Sequence, residues 1–420
     1  MKGNDQLNAV TAGYSAWHHR CRPAAILLWL CCLLFLLPAC GQPEEVTKPA
    51  EFGRGGLSFA LDLARRHPFR SPYSEAEQGA REMLVEALEE EGLKPRIVPF
   101  SSRDDDGRES ANIIVEFSGS GFQTVDPLHL EERGQTVEKL LEDAQVDRQF
   151  EKRQVLVCAN YDVIYSEEEA QKEEVTDFDG LSDNASGVAT LLTLARQLKN
   201  SPLGYDVQLI FLGAGHDSFR GAEAYVAAMS AADRERTDAV YVVESLLPGD
   251  KLYAHAGRNA LTEGNKYRNR RKLYEMTGVI FEKDLPTLNE FDIFYNESRA
   301  EVEYPEGSGS QVPYREFTLK DGNYVPFDEA GIPVVYIESG NYDFKNPADV
   351  KESTRSAYEE NSGQVSGTGR DDSESLIELF GEDLFQKRIN NVAYVLQGCI
   401  ERGVFNGLPA EGTASSATDE

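Results

Sequence analysis

The stretch FDGLSDNASGVATLL, residues 178–192, passes from a polar loop straight into an apolar helix. Asp183 and Asn184 are residue types that turn a chain and start a helix, because their short side chains hydrogen-bond nearby backbone groups. Gly187 lets the new helix approach a strand closely. Val188, Leu191, Leu192, Ala195 and Leu198 then share one face at the 3.6-residue period, so a helix is expected over 184–198. Two unbroken apolar runs bracket it, QVLVCA (154–159) and VQLIFLGA (207–214). Strands that are apolar throughout, rather than alternating, belong to a sheet covered on both faces. Strand, helix and strand at this spacing make a βαβ unit, and the fold class is α/β.

Working outward, AEAYVAAMS (222–230) reads as a second helix, and DAVYVVES (238–245) and IPVVYIES (332–339) as further buried strands. Residues 382–401 form a terminal helix. On the N-terminal side, LSFALDLARR (57–66) and SEAEQGAREMLVEALEEEGL (74–93) are helical, the second closed by Gly92. PRIVPF (95–100) and ANIIVEF (111–117) follow as strands. Residues 119–153 are charged and partly helical (VEKLLEDAQ), with no place in a sheet, and are taken as a surface insertion. Residues 250–325 and 340–375 are polar and irregular, which makes them long loops. An acidic tail, 406–420, is expected to be disordered.

The first forty residues differ in kind. Basic residues Lys2, Arg20 and Arg22 precede an apolar run, Ala24–Leu37, that is too short to span a bilayer but fits a secretory signal. The ending LPAC (37–40) resembles a bacterial lipobox, which implies cleavage before Cys40 and lipidation of that cysteine. The expected organisation is a signal peptide over 1–39, a linker over 40–55, one domain over 56–405 and the tail. The expected location is the cell envelope, periplasmic or extracellular face, with membrane attachment through Cys40. Four of the six cysteines lie in the signal segment, leaving Cys158 and Cys399, as one disulfide or two buried thiols. A formal net charge of −30 argues against nucleic acid as a partner.

Ligands of open α/β sheets sit at the carboxyl ends of strands. Those ends carry Asn160-Tyr161-Asp162, Ser182-Asp183-Asn184, Gly215-His216-Asp217, Glu244 and, before the last strand, Asn323-Tyr324. NYDV (160–163), GLSDNASGVATLLTLAR (180–196), VQLIFLGAGHDSFRGAEAYV (207–226) and NYVPFDEAGIPVVYI (323–337) together resemble the co-catalytic zinc aminopeptidases of peptidase family M-28, over roughly residues 55–405. Relatives of that family include glutaminyl cyclases and the nicastrin and transferrin-receptor ectodomains. The resemblance implies a three-layer zinc-exopeptidase-like fold, with a mostly parallel mixed sheet between helices. It also implies two zinc ions joined by a carboxylate, activating a water between them.

The chain departs from that pattern at most ligand positions. Asn160 stands at the first His, Ser182 at the bridging Asp, and Tyr324 at the last His. Gly215 stands at the general base, with His216 beside it, and Glu244 fits the remaining acidic ligand. Only His216 and Glu244 are good zinc donors, and two donors do not make a dinuclear site. Loss of the base alone removes a contribution worth about 10²–10⁴-fold.

The leading expectation is a lipid-anchored envelope protein that binds a peptide or protein without cleaving it, and without a cofactor. An alternative is an active aminopeptidase acting on peptide N-termini, with one zinc held by His216, Glu244 and Asp162 or Asp183, and Asp217 as base. A third is a structural scaffold. In the bland reading His216 and Asp217 cap the helix beginning near Ser218.

Overall fold

The computed structural model describes residues 55–104, 106–124, 149–261, 266–295, 301–303, 307–313, 316, 318, 320–344, 349–402 and 407–409. The expected signal peptide, Cys40 and most of the expected insertion lie outside these residues.

Seven strands form the central sheet: β1 (Arg96–Ser101), β2 (Glu109–Phe117), β3 (Gln154–Asn160), β4 (Asp206–Leu212), β5 (Thr237–Val243), β6 (Lys251–Ala256) and β7 (Val334–Gly340). Their order is β1-β2-β4-β3-β5-β7-β6. The centre is parallel, with β3 between β4 and β5, and β5 beside β7. Both flanks are antiparallel: β1 on β2, β2 on β4, and β6 on β7. Every residue of β3, β5 and β7 is buried, the apolar centres and the polar residues at their ends alike.

Helices α1 (Gly56–Arg66), α2 (Glu75–Glu90), α3 (Gly187–Leu198), α4 (Arg220–Ala228), α5 (Lys266–Glu282) and α6 (Glu382–Arg402) supply the outer layers. One face carries the larger core, in which Leu63, Leu191, Leu192, Leu209, Tyr241, Val392 and Leu396 pack together. Each such Leu contributes about 1.5–3 kcal/mol by leaving water. The second face is thinner and built from Ile114, Leu156, Ile210, Val226, Val242 and Phe327 under α4 and the short helix Val325–Glu329.

Three expectations need correction. Strand β6 and helix α5 lie inside 250–325, a stretch read as irregular because its polar residues, such as the KYRNRR start of α5, mask the core face. Phe122–Thr124 and Gln149–Glu151, at the two ends of the described insertion, pair with each other in a small separate sheet, which Gly407–Pro409 completes. The loop-to-helix junction is displaced: α3 begins at Gly187, because Asp183 and Asn184 have non-helical dihedrals. Of the two alternatives left open for Cys158 and Cys399, the structure shows two free, buried thiols.

Candidate functional site

The carboxyl ends of β3, β4 and β5 meet the loop before α3. Asp162, just past β3, is fully buried. Its Oδ1 accepts the backbone N–H of Gly215 at 2.9 Å, and its Oδ2 accepts that of His216 at 2.8 Å. Asn160 Nδ2 donates to the same carboxylate at 3.2 Å. Asp162 thus receives the turn after β4 as an anion receives exposed N–H groups.

The loop before α3 hangs on residues far away in sequence. Asp371 is fully buried, and its two oxygens accept the backbone N–H groups of Ser182 and Asp183, each at 2.8 Å. Its carbonyl accepts those of Asp179 and Gly180. Burial pushes the Asp371 carboxyl well above its ordinary range, against the opposing pull of those two N–H groups. Arg70, also fully buried, donates to the carbonyls of Tyr161, Asp179 and Gly180 at 2.8 Å each, and to that of His67 at 3.1 Å. Asn184 closes the junction. Its Nδ2 donates to Asn160 Oδ1 and the Val243 carbonyl, and its Oδ1 accepts from Gly187 and Ser245. A Cβ on Gly187 would lie 2.6 Å from that same carbonyl, so the close approach needs glycine.

His216 sits between two carboxylates. Nδ1 lies 3.3 Å from Asp162 Oδ2, and Nε2 lies 3.3 Å from Asp183 Oδ2. Burial alone would lower its pKa, but Asp183 and Asp162 together carry it well above the ordinary value. For Asp162 burial works upward, and His216 outweighs it, leaving the carboxyl below its usual range.

Glu244, at the end of β5, is consumed in the same way. Oε1 accepts the backbone and side-chain N–H of Asn323 at 2.9 and 2.7 Å, and Oε2 accepts the Tyr336 hydroxyl at 2.8 Å. Burial, then the charge of Asp183, raises its pKa despite those bonds. Tyr324 is buried and gives its hydroxyl to the Lys320 carbonyl. Behind it, Lys320 Nζ lies 3.5 Å from Glu338 and 3.8 Å from Glu352. Burial works to raise the Glu338 carboxyl, but Lys320 and His255 outweigh it and hold it at about 2.

The sequence itself also matches a known family. The model of peptidase family M28 fits residues 143–366, more than half of the chain. This chain belongs to peptidase family M28. The alkaline phosphatase isozyme conversion protein of Escherichia coli (strain K12) is 25% identical over 338 residues, covering 79% of this chain and 82% of that protein. The glutaminyl cyclase of an Acidobacteriales bacterium shares the fold with a TM-score of 0.51 at 15% identity, over 84% of this chain and 95% of that one. The glutaminyl cyclase of Macrostomum lignano does so at 0.51 and 14%, over 85% and 92%. The expected three-layer α/β fold with a mixed sheet is the observed one.

Does the M28 zinc fit these residues? Zinc takes about four N, O or S donors with lone pairs to give. Among the described residues, no group of three or more His, Cys, Asp or Glu is arranged to hold a metal ion. His216 faces carboxylates with both nitrogens, and the oxygens of Asp162 and Glu244 already accept hydrogen bonds. Ser182 is fully buried, with its hydroxyl 3.5 Å from that of Ser366. Nor is there room for the M28 base: a Cβ on Gly215 would lie 2.7 Å from Asn160 Cβ and 3.0 Å from Asn323 Oδ1 and Asp162 Oδ1. The M28 donor set is not present. A single ion held by His216, Glu244 and Asp162 or Asp183 would first have to break this network. Asp217, offered as a substitute base, accepts the Tyr73 hydroxyl at 2.6 Å instead.

His216 and Asp217 do not cap α4 either. That helix starts at Arg220 after Phe219 in a left-handed conformation, with no side-chain cap. Sequence reasoning placed Asn323 at the site but missed Arg70, Glu77, Asp371 and Lys320. Arg70 lies in HPFRSPYS, the turn ahead of α2, where nothing local marks it as reaching across to the loop before α3. Asp371 lies in a polar loop where nothing distinguishes it from its acidic neighbours.

Proposed function

We propose that this M28 chain is a cell-envelope protein, anchored through lipidated Cys40, that binds a peptide or protein ligand without hydrolysing it. One observation carries the non-hydrolytic reading: the side chains at the metal positions are already bonded to neighbouring protein groups, and the place of the general base is filled by Asn160, Asn323 and Asp162 around Gly215. A site without a base or free metal donors lacks both parts that activate water. The peptide or protein class of ligand is supported by membership of a peptidase family, and by a relative whose name refers to conversion of alkaline phosphatase isozymes. The lipid anchor is supported by the LPAC stretch and the apolar run before it.

The test is metal analysis of the purified chain together with a panel of amino-acyl and peptide substrates. The expected result is sub-stoichiometric zinc and no turnover above background. Zinc-dependent turnover abolished by changing His216 or Glu244 would overturn the reading. Labelling with a radioactive fatty acid, lost in Cys40→Ala, tests the anchor.

A further inference from the structure

A zinc peptidase site brings several carboxylates together at the strand ends, and the metal's charge makes that crowding tolerable. Without a metal, buried like charges repel, and each is costly unless paired. This chain keeps Asp162, Asp183 and Glu244 at those ends. Asp162 is fully buried, and the Asp183 side chain is only 17% exposed.

We propose that the His216 imidazole stands in for the metal, as a side-chain cation held between Asp162 and Asp183 that completes the site without an ion. The geometry supports this at both ring nitrogens. Each lies 3.3 Å from a different carboxylate, and only a ring carrying hydrogens on both nitrogens can donate to both. The ring is also fixed at its backbone, because His216 N–H donates to the same Asp162 oxygen that faces Nδ1.

Close by, the same device recurs. Lys320 Nζ lies between Glu338 and Glu352, so a second pair of buried carboxylates is also bridged by a side-chain cation, with His255 Nε2 3.4 Å from Glu338 beside it. Asn160 and Asn184, which are neutral, link the remaining donors. The site is therefore an ion-pair network rather than an emptied metal centre. This inference deepens the non-hydrolytic reading above and rests on it.

The experiment uses the full chain without a histidine tag. Thermal midpoints are measured with chelator, with zinc and with magnesium, for wild type, His216→Gln, Asp183→Asn and the double variant. Wild type is expected to be indifferent to chelator and to both ions. His216→Gln strands two carboxylates, so its Tm is expected to fall by about 5 °C or more. Removing one of those carboxylates as well should restore part of the loss, leaving the double variant more stable than His216→Gln alone. If His216→Gln does not fold, the double variant is still expected to.

A wild-type Tm raised by zinc and lowered by chelator overturns the inference. So does a double variant no more stable than His216→Gln. Either result leaves the non-hydrolytic reading standing if the substrate panel stays silent, whereas turnover in that panel overturns the function and not the pairing.

Discussion

The carboxylate of Asp371 accepts the backbone N–H of Asp183 at 2.8 Å, across 188 positions of sequence. Its other oxygen accepts the N–H of Ser182 at the same distance. The loop that shapes the site is thus held from outside by an acid in a distant polar segment. Asp371→Ala orphans two N–H groups in a region closed to water. Each such group costs about 1–3 kcal/mol, so urea denaturation should show a loss of about 2–5 kcal/mol with an unchanged m-value. Asp371→Asn, which keeps one acceptor oxygen, should lose less. Equal losses in the two variants would mean that the hydrogen bonds are not the cause.

Arg70 holds the same loop from the other side. Its guanidinium fork meets four carbonyls, three of them on Tyr161, Asp179 and Gly180. Lys carries the charge but cannot reproduce the planar fork. Arg70→Lys is therefore expected to destabilise by about 2–4 kcal/mol, and Arg70→Met by a similar or larger amount, because both abandon buried acceptors. Circular dichroism of guanidinium-unfolded samples would give the two values. A neutral Arg70→Lys would show that charge, not geometry, does the holding.

Much of the fold was legible in sequence because the parallel strands carry apolar centres rather than a strict alternation, and the α3 face keeps its period. The chemistry was half legible. Substitution at Asn160, Ser182, Gly215 and Tyr324 says which donors are absent, since residue type decides donor capacity. What the remaining donors do instead is a matter of three-dimensional pairing. Nothing local in GHDSF indicates that His216 will lie between Asp162 and Asp183, which are 54 and 33 positions away. Helix α5 escaped for another reason: its charged start conceals Leu273, Met276, Val279 and Ile280, which are spaced for burial.

Glu77 couples the fold to pH. It lies in the first turn of α2, and its carboxylate accepts Ser110 Oγ, Ala214 N and Tyr73 N. Burial first, and the charge of Asp162 second, raise its pKa to about 7, against those three bonds. A folded-state pKa above the unfolded one means that the native chain binds more protons in the window between them. The stability this group contributes is present below its ordinary value of 4.5 and is lost as pH rises through about 7. Urea midpoints measured from pH 5 to 8 should fall as pH rises over this window. Glu77→Gln should flatten that slope. A slope unchanged by Glu77→Gln would assign the proton to another group.

Gly215 offers the most direct trial of whether the M28 reaction can be put back. Restoring an acid at this position, as Gly215→Glu, supplies the missing general base in principle. Yet the first added carbon would lie 2.7 Å from Asn160 Cβ and 3.0 Å from Asn323 Oδ1 and Asp162 Oδ1. Asn323 cannot withdraw freely, because its backbone and amide both donate to Glu244. Overpacking of this kind costs about 1–3 kcal/mol, and a carboxylate added beside Asp162 adds repulsion. Gly215→Ala should therefore lower the thermal midpoint, and Gly215→Glu should lower it further while leaving peptide hydrolysis at background. The base is one missing part, and the remaining donors, His216 and Glu244, are still bonded to other protein groups. Hydrolysis appearing in Gly215→Glu alone, with zinc added, would show that the network opens readily and that only the base had been lost.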